Sequence, residues 1–328
     1  MSRLHVTVEQ YRGSSYEVGY GLGSHERMNI IRQRCEHFVQ PVDVDEARGT
    51  FQTFAPHLLE ELHGIAKALG ISQDKALSLF SAYDLPILDG LGCTAIMMDQ
   101  GYVRNYDFGP DFYDGRLVLR QPKEANATCG HSLFGIGLHD GMNEHGLTAG
   151  LHFVSTRYHQ KGYMAGIVVR MILDQCSTVH EAITLLRKLP HADEYNYSLT
   201  DATGRSAIVE AGPFVTNVLE KEHLFCTNHF QRTTGQQASE SSLKRLNYLK
   251  AHEPMELTGW FDEFRDPESP LFFHDYENLF GTLHTIMIDP KKLLFTTSIA
   301  GDKEVLTISF EKWLQGEVVE ISELSATL

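Results

Sequence analysis

The order in which hydrophobic spacing changes along this chain limits its fold more than any other feature. Apolar residues recur at helical spacing through residues 14–38, 46–69 and 72–82. Ser14-x-x-Glu17 is a capping box for the first stretch, and Gly70 stops the second. Pro86 and Asp89-Gly90 then break the pattern and mark a loop. From Thr94 the spacing is that of hairpin strands, at 94–98, 102–107, 117–120, 133–138 and 147–154, with a turn through 140–146. Helices at 164–174 and 178–189 separate these from strands at 197–201, 206–210, 215–220 and 224–228. A helix at 241–251 and strands at 283–289, 293–299 and 304–310 finish the chain. Helices grouped between sets of hairpin strands predict an α+β fold, with antiparallel sheets inside helical layers. A doubly wound parallel sheet would need strict alternation, which is absent.

Composition narrows the function classes. A chain of 328 residues, 42% hydrophobic and 22% charged, fits one large soluble domain or two modest ones. A net charge of −15 repels nucleic acid and anionic lipid as bulk partners. No apolar run is long enough to span a membrane. The opening MSRLHVTVEQYRG lacks the apolar core of a signal peptide, so a cytoplasmic location is expected. Five cysteines, at 35, 93, 129, 176 and 226, are odd in number and lack a CxxC spacing, which argues against a disulfide framework or a cysteine zinc site. His139, His145, His152 and His159 come at intervals of six or seven, unlike the helical zinc motif. We expect no metal and no cofactor. Oligomeric state is left open, with self-association allowed.

Cys93 lies just past the composition break, in Gly92-Cys93-Thr94, and Arg104-Asn105-Tyr106-Asp107 follows. If Asp99-Gln100-Gly101 is a three-residue turn, counting outward sets Asp107 opposite Cys93. A two-residue turn moves the pairing by one. Either register leaves a carboxylate about 5 Å across the pair. Arg104 is three residues from Asp107, so an unbroken strand points them to opposite faces. An irregularity near Asn105–Tyr106 is therefore expected if both are to reach the site. The simpler alternative is a surface salt bridge worth under about 1 kcal/mol.

These residues resemble the start of the mature chain in N-terminal-nucleophile cysteine hydrolases. The resemblance is to the acyl-CoA:6-aminopenicillanate acyltransferase-like branch, more distantly to bile-salt hydrolases and penicillin V acylases. Asp140-Gly141-Met142-Asn143-Glu144-His145-Gly146-Leu147 is similar to a hairpin motif of that family, and so is Asp201-Ala202-Thr203-Gly204-Arg205-Ser206 with Glu210. Thr227-Asn228 resembles its oxyanion segment and Ser241-Ser242-x-x-Arg245 its late Ser-x-x-Arg motif. Gly13-Ser14-x-Tyr16-Glu17-Val18-Gly19 looks like an acyltransferase-type pro-segment.

The resemblance implies an αββα four-layer sandwich, and cleavage between Gly92 and Cys93 into a mainly helical pro-segment (1–92) and a catalytic domain (93–328). It implies Cys93 as nucleophile, with its freed α-amine as base. An α-amine titrates near pH 8, suited to that task. Glycine at 92 would tolerate the strained backbone of the N-to-S shift. Asp107 would orient the amine, Arg104 would favour the thiolate, and Asn228 would serve the oxyanion, with Arg245 completing the site. His152 stands where bile-salt hydrolases carry a side-chain amide; with His229 it is a candidate oxyanion or substrate contact. Asn143 and Glu144 read as turn residues.

The leading expectation is an amidohydrolase or acyltransferase that acts on a small-molecule acyl amide or acyl-CoA through an acyl-Cys93 intermediate. Two other readings stand beside it: a metal-dependent hydrolase using histidine and carboxylate ligands, and an uncleaved, non-enzymatic binding protein of the same fold.

Overall fold

The computed structural model describes residues 3–38, 42–85, 92–154, 158–234, 238–253 and 255–328. Pro86, Asp89 and Gly90 lie outside the described residues, as do residues 235–237.

The chain opens with strand β1 (Arg3–Gly13) and helices α1 (Ser15–Ser24), α2 (Glu26–Phe38), α3 (Val44–Phe54), α4 (Pro56–Leu69) and α5 (Gln73–Phe80). The hairpin β2 (Gly92–Met98) and β3 (Gly101–Phe108) follows, then β4 (Arg116–Pro122), β5 (Thr128–Leu133), β6 (Gly137–Asn143) and β7 (Thr148–Phe153). Helices α6 (Ala165–Gln175) and α7 (Val179–Leu186) lead to β8 (Tyr195–Thr200), β9 (Ser206–Gly212), β10 (Val215–Glu220) and β11 (Leu224–Cys226). After α8 (Glu240–Ala251) and α9 (Leu257–Arg265) come β12 (His274–Asp275), β13 (Phe280–Asp289), β14 (Leu294–Ile299), β15 (Leu306–Ser309), α10 (Phe310–Leu314) and β16 (Glu323–Thr327).

The strands among the described residues form two sheets. Nine stand in the order β10-β9-β8-β7-β6-β5-β4-β1-β16; the other seven follow β11-β2-β3-β13-β14-β15, with β12 beside β13. One core fills the gap between the sheets, with Leu117, Leu119, Tyr106 and Ile286 among its members. A second lies between the nine-stranded sheet and the helices, joining Leu22, Phe51 and Leu62 to Val168, Ile172 and Leu199. A third packs Trp260, Phe261 and Phe264 of α9 on Ile96 and Val103. The result is the expected αββα sandwich, with helices outside both sheets.

Differences from the sequence reading have local causes. The stretch 46–69 is two helices because Pro56 sits at an N1 position after Ala55, whose backbone (φ −155°, ψ 63°) is not helical. The stretch 14–38 is interrupted at His25, whose backbone is extended. Residues 3–13 form a strand that the sequence reading does not include, although Leu4, Val6 and Val8 alternate inward. β1 runs parallel to β4, an exception to the antiparallel expectation. Five helices and a hairpin intervene between them, which supplies the long crossover that parallel pairing needs.

Polar groups tie the chain before Gly92 to the rest. Arg116 of β4 donates Nε and Nη2 to the two carboxylate oxygens of Glu9 on β1, at 2.8 and 2.5 Å. Arg170 of α6 is fully buried and reaches both Glu61 oxygens on α4, at 3.0 and 2.7 Å, and Asp174. α1 and α4 cross at very short range: a Cβ at Gly19 would lie 1.9 Å from the Glu61 carbonyl oxygen, so only glycine fits.

Candidate active site

The β2–β3 hairpin builds the centre of the site. Its turn has two residues, Asp99 and Gln100, since Met98 pairs with Gly101. The register therefore slips by one from the three-residue count: Tyr106 lies opposite Cys93, and Asp107 opposite Gly92. β3 runs unbroken, and the irregularity falls on its neighbour β13, between Thr282 and His284. Arg104 and Asp107 consequently take opposite faces, and Cys93 is addressed from both.

On the inner face, between the sheets, Arg104 Nη2 donates to Cys93 Sγ at 3.0 Å and to the Leu151 carbonyl at 2.6 Å. Its Nη1 is paired with Asp140 of β6. All three side chains are fully buried. Burial pushes the Cys93 thiol up to about 11, against the pull of the Arg104 charge. Burial also opposes the Arg104 charge, but Cys93 and Asp140 outweigh it and raise its pKa.

Behind Asp140 runs a buried relay that no sequence motif announces. His284 Nε2 lies 2.9 Å from Asp140 Oδ2, and Tyr113 Oη bridges His284 Nδ1 (2.7 Å) and His131 Nδ1 (3.0 Å). His131 Nε2 meets Thr297 Oγ1 at 3.1 Å. Burial drives His131 and His284 well below the usual histidine range, so both are neutral. Donor counting then gives one assignment. His284 donates from Nε2 to the carboxylate, Tyr113 donates to His284, and His131 donates from Nδ1 to Tyr113. The two imidazoles stack 3.9 Å apart. Among the described residues no three His, Cys, Asp or Glu side chains converge as metal ligands.

On the outer face, Asp107 Oδ1 accepts from Thr282 Oγ1 at 2.7 Å, while its buried Oδ2 has no hydrogen-bond partner among the described residues. Burial raises the Asp107 carboxyl, with Arg245 pulling it back. Arg245, on α8, donates Nη1 to the Cys93 carbonyl and to Thr94 Oγ1, both at 2.7 Å, and Nη2 to Asn228 Oδ1 at 2.8 Å. Asn228 Oδ1 also accepts the Cys93 N–H at 2.9 Å, and its Nδ2 donates to the Phe153 carbonyl at 2.9 Å. One turn of α8 explains the Ser-x-x-Arg spacing, because Ser242 and Arg245 share a face. Ser242 Oγ accepts from the Asn228 N–H at 2.8 Å and lies 2.7 Å from His229 Nδ1.

Cys93, Arg104, Asn228 and Arg245 are thus brought together, with Gly92 and Asp107 alongside. His152 sits in the adjoining β7, Nε2 2.8 Å from Ser198 Oγ and Nδ1 buried without a hydrogen-bond partner among the described residues. Burial, then the Arg104 charge, lower it well below the usual histidine range. His229 turns to Ser242 and Thr227, supporting the Asn228 segment. Gly92 lies in extended strand, outside the left-handed region. Asn143 Oδ1 accepts the His145 and Leu147 N–H groups, the turn role read from sequence. Asp140, His284 and Tyr113 were missed as contributors; only Asp140 had a signal, as the first residue of its motif. A groove of about 550 Å³ at Asp99, Leu257 and Met287 lies at the far end of the hairpin, away from Cys93.

The chain is similar in structure to a variant of conjugated bile acid hydrolase from Clostridium perfringens, at 11% identity and a TM-score of 0.45, over 72% of this chain and 97% of that one. It is similar to penicillin V acylase from Agrobacterium tumefaciens, at 18% identity and a TM-score of 0.40, over 68% and 79%. A Caenorhabditis elegans ortholog of N-acylethanolamine-hydrolyzing acid amidase matches at 11% identity and a TM-score of 0.40, over 61% and 93%. No curated protein matches the sequence. The model of one family, acyl-coenzyme A:6-aminopenicillanic acid acyl-transferase, matches residues 97–304. That span begins just after Cys93 and takes in Arg104, Asp140, Asn228 and Arg245. It is more than half of the 328 residues, and this chain therefore belongs to the acyl-coenzyme A:6-aminopenicillanic acid acyl-transferase family.

Proposed function

We propose that this protein is an acyl-transfer enzyme of the N-terminal-nucleophile type, which cuts its own Gly92–Cys93 bond. It then works on a small-molecule acyl amide or acyl thioester through an acyl-Cys93 intermediate. The observation that carries this reading is the triple grip on one residue. Arg104 holds the thiol of Cys93, Asn228 its N–H and Arg245 its carbonyl.

In the continuous chain Sγ attacks the Gly92 carbonyl carbon. A C–S bond forms, the C–N bond breaks, and the departing nitrogen takes the thiol proton. Water then opens the thioester, restoring the thiol and leaving a carboxylate on Gly92. The freed α-amine becomes the base. Asp107, whose Oδ2 lacks a partner among the described residues, and Asn228 Oδ1 are its hydrogen-bond acceptors.

With substrate, the amine takes the thiol proton as Sγ attacks the acyl carbonyl, then passes it to the leaving nitrogen or sulfur. The second N–H of Asn228 Nδ2 serves the oxyanion, and neutral His152 can add a donor from Nδ1. Water or an amine resolves the thioester, giving hydrolysis or transfer.

Intact-mass measurement tests this. The wild type should yield fragments 1–92 and 93–328, whereas Cys93→Ala should stay one chain without acyl-transfer activity. A wild type that stays uncut under all conditions would overturn the reading. Stoichiometric zinc would then favour a metal hydrolase, and an inert thiol a binding protein.

A further inference from the structure

We infer that the acyl donor carries no α-branch on one side of its α-carbon, the side an L side chain on Gly92 would take, and that Phe280 closes that side next to Cys93. The inference rests on Cys93 as nucleophile. In self-cleavage the acyl group attacked by Sγ is the Gly92 carbonyl. The same sulfur, held by the same Arg104, must later attack the substrate carbonyl. The substrate carbonyl then occupies the place of the Gly92 carbonyl, and its α-carbon the place of Gly92 Cα.

That place is closed on one side. A methyl group built on Gly92 in the direction of an L side chain would lie 2.7 Å from Phe280 Cε2 and 2.9 Å from Cζ. It would lie 3.0 Å from Asp107 Cβ. Carbon atoms at rest approach to about 3.5–4.0 Å, so these contacts are repulsive. Neither neighbour gives way easily. Asp107 Cβ is fixed by the backbone of β3, directly opposite Gly92. Phe280 opens β13, pairs with Asp275, and packs edge-to-face on Phe273 at 4.5 Å. Phe273 in turn lies under the Arg245 guanidinium, 5.5 Å from ring centre to Cζ. Gly92 is outside the left-handed backbone region, and in this conformation its surroundings leave no room for a side chain. An acyl chain can leave its α-carbon where the Gly92 nitrogen sits; a branch on the Phe280 side cannot.

Two measurements test this. In the precursor, Gly92→Ala should slow self-cleavage by about 100-fold, within the range that one misfitting methyl group produces. In a Phe280→Ala or Phe280→Leu background the same Gly92→Ala change should cost under about 10-fold. In the mature enzyme, straight-chain acyl p-nitroanilides and acyl-CoA thioesters are compared with both enantiomers of their 2-methyl derivatives. One enantiomer should be turned over about 100-fold more slowly than the straight chain, and both Phe280 variants should narrow that gap to about 10-fold. Equal cleavage of wild type and Gly92→Ala, or equal turnover of straight-chain and both 2-methyl substrates, would overturn the proposal. So would a Gly92→Ala penalty unchanged in both Phe280 backgrounds. Failure of Cys93 as nucleophile would show separately, as an uncut wild type or a fully active Cys93→Ala.

Discussion

Arg104 does at one residue what no other side chain could. Its fork meets a carboxylate, a thiol and a carbonyl at once, in a fully buried space. A lysine would keep the charge but, with a single nitrogen, could not span the three partners. Arg104→Lys is therefore expected to slow self-cleavage and acyl transfer by about 10²-fold, the scale of removing one preorganised charge-stabilising contact. Mass-resolved cleavage rates, read beside thermal melts, check it. Rates equal to wild type would remove Arg104 from the mechanism. The neutral His284–Tyr113–His131 relay fixes Asp140 without adding charge, which keeps one negative group facing one positive group in the sandwich core.

At the scale of elements, β1 depends on a buried pair. Burial pushes the Glu9 carboxyl up, but bonds from Arg116, Tyr11 and Thr7 outweigh it and bring it down to about 2, from an ordinary 4.5. The sign follows. Above about pH 4.5 Glu9 is ionised in both folded and unfolded chains, and the pair contributes fully. As pH falls from 4.5 to 2 the unfolded chain takes up a proton that the folded chain refuses, so stability is lost over that window. The contribution at stake is about 3 kcal/mol. Glu9→Gln leaves Arg116 buried and unpaired, at a cost of about 3–5 kcal/mol near neutral pH. Denaturant melts of wild type and variant should converge as pH drops from 5 to 2. A constant gap would contradict the pairing.

For the whole molecule, the decisive fact is that β1 sits inside the nine-stranded sheet, between β16 and β4, and that α1 to α5 share a core with α6 and α7. Cutting the Gly92–Cys93 bond removes one covalent link and none of these contacts. Once cut, fragments 1–92 and 93–328 are expected to elute together in gel filtration at the mass of the uncut chain, and to part only in denaturant. Separation under native conditions would show that the first segment is dispensable to the fold.

The change from helical to strand spacing near residue 92, the Gly-Cys-Thr and Arg-Asn-x-Asp clusters, and the Ser-x-x-Arg spacing were all legible in order along the chain. They carry local information: periodicity, turn chemistry and residue type. The sequence alone thus determined the layered α+β class and brought Cys93, Arg104, Asp107, Asn228 and Arg245 to notice. Only the tertiary structure decided which face each takes. A turn shorter by one residue moved Asp107 from Cys93 to Gly92, because strand side chains alternate with period two. His284 had no motif to betray it, and pairing between distant strands set it behind Asp140. Phe280 meets Gly92 only because β13 lies against β3. Such contacts join residues far apart in sequence, and local spacing does not encode them.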